Sequence, residues 1–220
     1  MIPDPHVTLS SATDRLLHAV TAWHDEPDWG EITSAVLAGA DPNAAVPFRA
    51  GRTVLMYLAS RSRTNPDGIA WLLDHGASMN IRDASGGTAL TTAIDSGNMD
   101  IARLLLARGA DPNTRYKDGT TPLMGLSATL TREAMCLLLV HGADPACVDS
   151  RGRTLLDRFA ALRRPRMLEA MDTILARSEM ATTRRRLLDR LTADQRTSWL
   201  PKCCAVEATA TATRTWVRKP

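Results

Sequence analysis

Residues 80–113 read NIRDASGGTALTTAIDSGNMDIARLLLARGADPN, and the order of residue types along this stretch decides the fold. It opens on a polar run, Asp83 to Gly87, whose paired glycines cannot be helical throughout and predict a turn or short hairpin. Thr88 then stands where a helix N-cap is needed. Ala89 to Ser96 predicts a two-turn helix with Leu90 and Ala93 on one face, ended at Gly97, which takes a left-handed cap without steric cost. A second helix is predicted from about Asp100 to Arg108, because Ile101, Leu104 and Leu105 recur at helical spacing while Ala102 and Leu106 widen the apolar face. Acidic Asp100 at its start and basic Arg108 at its end both suit the helix dipole, and Gly109 supplies the stop. One such block buries too little apolar surface to stand alone, so neighbouring blocks must complete its core.

The block recurs. Gly109-Ala110-Asp111 and Gly142-Ala143-Asp144 lie 33 residues apart, Gly76-Ala77-Ser78 lies 33 upstream, and Gly39-Ala40-Asp41 precedes that by 37. Thr88, Thr121 and Thr154 keep the same interval of 33, with Thr53 coming 35 before Thr88. Two registers in step define a repeat architecture. With Thr121-Pro122-Leu123, the triplets Leu104-Leu105-Leu106 and Leu137-Leu138-Leu139, and the closing Gly-Ala-Asp-Pro, the chain resembles the ankyrin repeat over roughly residues 13–176.

The resemblance implies an all-α ankyrin-repeat solenoid of about five helix-turn-helix units with hairpin-like turns, at residues 13–43, 44–80, 81–113, 114–146 and 147–178, plus a C-terminal capping helix. The expected divisions outside the array are an N-terminal tail at 1–12, the capping helix at 179–200 and a flexible basic tail at 201–220. The first unit is degenerate and stretched by His24 to Asp28. The second carries two extra residues around Val46 to Gly51 and two more around Arg61 to Pro66, and such insertions in a solenoid map to loops on one face. Met56, Thr91, Met124 and Asp157 stand where the family usually has histidine, which predicts weaker bonding between repeats. The fifth unit loses the closing Gly-Ala-Asp, so the array is expected to stop there.

The formal net charge of +3 conceals an asymmetry. Residues 1–150 carry 11 Lys+Arg against 17 Asp+Glu, a balance of −6, whereas residues 151–220 carry 16 against 7, a balance of +9. The basic end reads either as solvated helix faces or as a surface for nucleic acid or another anionic partner. Within it, Leu187, Leu188 and Leu191 at helical spacing fit the cap over the last unit; the competing reading is a helix by which an adaptor or secreted effector docks a second protein. The N-terminal MIPDPHVTLSSATD lacks the basic start and apolar run of a secretory signal, and no window is apolar enough to span a membrane, which together give a cytoplasmic expectation.

Cys136, Cys147, Cys203 and Cys204 make no Cys-x-x-Cys, and His6, His18, His24, His75 and His141 are scattered, so metal-ligand spacing is absent. No nucleophile elbow or phosphate-binding glycine loop is present. The expectation is a protein without catalytic residues, metal or cofactor.

What the resemblance implies instead is binding through geometry. Hairpin tips and first-helix faces form a concave surface for another protein, and the tip positions expected to serve it are Phe48, Arg49, Arg52, Arg82, Ser85, Arg115, Tyr116, Lys117, Thr120, Ser150, Arg151 and Arg153. Arginine and aromatic residues match the chemistry of interface hot spots. The partner they fit carries an acidic segment, and the chain itself is expected to be a monomer.

Overall fold

The computed structural model describes residues 11–21, 27–125, 132–155 and 157–158. The N-terminal residues 1–10, most of the stretch at His24, the rest of the fourth unit's first helix, the fifth unit's second helix, the capping helix and the basic tail all lie outside the described residues. Among the described residues the elements are seven α-helices with isolated bridges between them, and the chain divides into residues 1–117 and 118–220.

The first unit is three helix pairs: α1 (Ala12–Thr21) with α2 (Trp29–Leu37), α3 (Val54–Ala59) with α4 (Pro66–Asp74), and α5 (Ala89–Asp95) with α6 (Met99–Ala107). Helix α3 packs on both α1 and α5, while α4 packs on α6, so the first helices form one layer and second helices lie behind. The two helices predicted from residues 80–113 are observed within one residue of their expected bounds.

Local chemistry sets the starts and stops. Asp28 accepts from the Glu31 backbone N–H at 3.1 Å, Thr53 from that of Met56 at 3.3 Å and Asn65 from that of Asp67 at 3.0 Å, each satisfying a donor that a helix N-terminus leaves orphaned. The closing glycines Gly39, Gly76 and Gly109 have φ of +91°, +93° and +88°. A Cβ at Gly39 or Gly109 would meet nothing within 4 Å, so the repeat selects glycine there for its backbone freedom alone.

Leu16, Ile32, Leu55, Leu58, Ile69, Leu72, Leu90, Ile94, Ile101 and Leu105 are fully buried and run through all three pairs. Leu72 and Leu105, at equivalent positions of α4 and α6, are both fully buried, and α4 packs on α6 as well as on α3, so these pairs share their core. Gly68 admits Trp29, whose indole would lie 2.5 Å from a Cβ at that position. Two asparagines bond across the repeats. Asn43 donates to the Gly76 carbonyl at 2.9 Å and accepts from the Ser78 N–H at 2.7 Å, and Asn98 donates to the Arg61 carbonyl at 3.0 Å.

In residues 118–220, α7 (Arg132–Val140) buries Ala134, Met135, Leu138 and Leu139 and ends at Gly142, φ +89°. Of the fourth unit's first helix, the described residues show a turn at Pro122–Met124. The positions lacking the family's histidine divide in two. Met56 and Met124 fill the position with apolar bulk, whereas Thr91, equally buried, and Asp157 rebuild the cap locally: the Thr88 N–H donates to the Thr91 hydroxyl at 2.7 Å, and the Thr154 N–H and hydroxyl both donate to Asp157 Oδ2 at 2.8 Å.

Candidate functional site

Between the closing loop of one helix pair and the first helix of the next, the chain projects as a finger. In the finger at residues 81–88, the Asp83 N–H donates to the Gly87 carbonyl at 2.9 Å, and that of Gly86 returns to the Asp83 carbonyl at 3.0 Å. The Asp83 carboxylate fills the inside of the turn, accepting from the Ser85 and Gly87 N–H groups at 2.8 and 2.9 Å and from the Ser85 hydroxyl at 2.6 Å. Arg52 approaches it at 3.6 Å, and the Asp83 side chain is only 6% exposed. Burial pushes this carboxyl up, but the Ser85 hydroxyl, the backbone donors and the Arg52 charge together hold it below its ordinary value.

The finger at residues 147–154, in the other unit, repeats the device. Asp149 N–H donates to the Arg153 carbonyl at 3.0 Å, and the Asp149 carboxylate, 1% exposed, accepts from the Arg151 and Arg153 N–H groups at 2.9 Å and from the Arg153 guanidinium at 2.8 Å. Burial again opposes ionisation, yet these donors bring the carboxyl down to about 2.

Successive fingers are stitched by backbone. In the first unit the Ala84 N–H donates to the Ala50 carbonyl at 2.8 Å and the Lys117 N–H to the Ser85 carbonyl at 2.9 Å; in the second the Ser150 N–H donates to the Asp118 carbonyl at 3.0 Å. The finger glycines permit this approach. A Cβ at Gly86 would lie 3.1 Å from the Lys117 nitrogen and one at Gly119 2.5 Å from that of Ser150.

The expected site residues sort unequally on this frame. Arg49, Arg82, Ser85, Arg115 and Lys117 are exposed, and Phe48 is fully so. Tyr116 is half-buried, donating to Asp95 Oδ2 at 2.8 Å; burial first, and then the Asp95 charge, push its phenol well above the usual range. Arg82 reaches across to donate to the Arg115 carbonyl at 2.9 Å, and Arg52 and Arg153 hold the turn carboxylates. Ser150 and Arg151 are exposed, with the Ser150 hydroxyl donating to the Asp118 carbonyl at 2.6 Å. Thr120, expected at a tip, is buried and donates to Asp118 Oδ1 at 2.6 Å, a bond that leads in holding that carboxyl below its ordinary value. Arg52, Arg82 and Arg153 thus hold the fingers' own structure as well as standing in them.

Sequence reasoning passed over Asp83 and Asp149, although each stands five residues before a repeat threonine, a spacing that would have found them. It also passed over Tyr57. That half-buried ring on α3 is faced by two guanidiniums, Arg49 at 5.3 Å and Arg61 at 5.8 Å from its centroid, with Arg61 also donating to its hydroxyl at 3.4 Å.

Paired helices stacked in two layers, with stitched fingers projecting between pairs, define a repeat protein of the helix-pair class. Residues 28–116 match the family model for ankyrin repeats (3 copies), and over those residues the chain is an ankyrin-repeat array. Ankyrin repeats generally serve as protein–protein interaction modules. No helix among the described residues is long and apolar enough to cross a membrane.

Proposed function

We propose that this chain is a non-catalytic adaptor that binds an acidic segment of another protein through the finger tips and first-helix face of its repeats. One observation carries the reading: the tips present Arg49, Arg82, Arg115 and Lys117 as exposed cations on a backbone fixed by the hydrogen bonds from Ala84 to Ala50 and from Lys117 to Ser85. With the backbone already fixed, binding orders the exposed side chains but not the loops that carry them. In the second unit, considered by itself, Arg151 is an exposed tip cation of the same kind, with Ser150 beside it and Arg153 holding the Asp149 carboxylate.

The test is affinity capture with quantitative mass spectrometry, comparing wild type with the Arg82→Glu, Arg115→Glu, Lys117→Glu triple variant. Partners held by the cations disappear from the variant's list and are enriched in acidic segments. Identical lists from both proteins would remove the finger cations from consideration.

A further inference from the structure

The finger at residues 44–53 departs from those at residues 81–88 and 147–154 where its turn closes. Its closing bond runs from the Val46 N–H to the Arg52 carbonyl at 2.8 Å, so Val46 occupies the position that Asp83 and Asp149 hold in those two. The two additional residues of this unit therefore lie inside the loop: Pro47-Phe48-Arg49-Ala50-Gly51 stands where Ala84-Ser85-Gly86 and Ser150-Arg151-Gly152 close the others. Val46 is buried and has no carboxylate to fill the turn. The insertion instead lifts Phe48 to the apex, where its side chain is fully exposed and its φ is +58°, a region unfavourable to a residue with a Cβ. Ala50, at +53°, shares the strain. A large apolar ring held outward on a strained backbone is the reverse of what folding alone selects.

Its surroundings specify what would cover it. From Ala44 to Thr64 the chain carries four arginines and no carboxylate, in a half of the sequence that is otherwise acidic. Arg49, the residue after Phe48, and Arg61 both face the Tyr57 ring, at 5.3 and 5.8 Å, so a cationic platform begins next to the exposed phenylalanine in the chain.

We infer that Phe48 is an anchor that inserts into a protein partner whose apolar residues are flanked by carboxylates, with Arg49 and Arg61 receiving those carboxylates on the Tyr57 platform. The inference rests on the reading of the finger face as a protein-binding surface and narrows it to one finger and one partner chemistry. A bilayer is the poorer fit, because a single exposed ring gives weak anchorage.

The experiment is selection of random dodecapeptides displayed on phage against the full-length protein, followed by fluorescence polarisation with the enriched peptides labelled. The expected consensus is an aliphatic or aromatic residue between Asp and Glu. Phe48→Ser should weaken its binding about tenfold or more, as befits a hot spot, and Arg49→Glu should weaken it several-fold. Both positions are exposed, and unchanged circular dichroism of the variants confirms that the fold is retained.

If the library yields no consensus, or only basic or uncharged peptides, the inference fails. It fails too if Phe48→Ser binds the peptides as wild type does; loss of that binding in the Arg82→Glu, Arg115→Glu, Lys117→Glu variant would then leave the broader reading standing, and retention there would remove both. Cosedimentation of wild type, but not Phe48→Ser, with phosphatidylserine–phosphatidylcholine vesicles in the absence of peptide binding would replace the protein partner with a lipid surface.

Discussion

The fingers at residues 44–53 and 81–88 perform the same task in opposite ways. In the second, a buried carboxylate organises the turn from within, and its exposed side chains are Arg82, Ala84 and Ser85. In the first, Val46 closes the turn from beneath, the loop is two residues longer, and backbone strain at Phe48 and Ala50 takes the place of side-chain hydrogen bonds. The difference teaches that a repeat position can be used for stability or for display. Exposure of a tip residue becomes informative only after its structural duties are known.

The largest expected effect comes from removing the layer on which both fingers stand. Leu105 is fully buried in α6, and Leu105→Ala should destabilise by about 2–5 kcal/mol in a urea titration, through lost transfer energy and the cavity left behind. Since α6 packs on both α4 and α5, the loss should appear as one transition for the first unit and not as melting of a single pair. Separate transitions would mean that the pairs stand independently.

Next comes the carboxylate that only one of these fingers has. Asp83→Ala leaves the Ser85 and Gly87 N–H groups without their acceptor, for a cost of about 1–3 kcal/mol. Val46→Ala acts on the other finger by lost apolar burial alone, so its cost should not depend on pH. The sign of the pH effect follows from depressed folded pKa values. Asp83 and Asp149 contribute stability that is present above the unfolded value near 4 and is lost as pH falls through the folded value, which for Asp149 is about 2. Thermal midpoints measured downward from about pH 5 should fall less steeply in Asp83→Asn and Asp149→Asn than in wild type. Parallel curves would show that neither carboxylate couples to folding.

Most of this fold was legible in the sequence because the repeat imposes the same demand many times. Glycine at 39, 76 and 109 answers one backbone requirement, and the leucines of the second helices answer one packing requirement, so each recurs at a fixed interval. The candidate site was legible only as a list of positions. Whether Arg52 points at a partner or at Asp83, and whether Thr120 lies outside or within, depends on contacts made 31 and two residues away along the chain, which periodicity does not encode. Phe48 was named for its position in a tip, but nothing in the sequence revealed that Val46 would take over turn closure and leave it outward.

A smaller effect separates the finger glycines. Gly86, at φ +86° and 3.1 Å from backbone, should tolerate alanine worse than Gly51, at +77° and 3.7 Å. Both changes carry the left-handed penalty, and the difference of about 1 kcal/mol measures the tightness of the finger-to-finger stitch. Equal costs would show that the two fingers are stitched alike.

The smallest effect has the sign opposite to the rest. Phe48 sits at φ +58° with its ring in water, so Phe48→Gly relieves a conformational cost on the order of 1–2 kcal/mol and removes no packing. Glycine returns part of that gain by enlarging the freedom of the unfolded chain, which leaves a net stabilisation of about 0.5 kcal/mol and a rise of about 1–2 °C in Tm. Ala84→Gly in the neighbouring finger is the matched control. Ala84 does not have a positive φ, so glycine there carries only the entropic penalty and should lower Tm. Opposite shifts from the same replacement at two finger positions would establish that the longer finger stores strain to keep its aromatic residue outward. A drop in Tm for Phe48→Gly would mean that the ring is held by the protein's own surface, and the contrast between the two fingers would collapse to one of length.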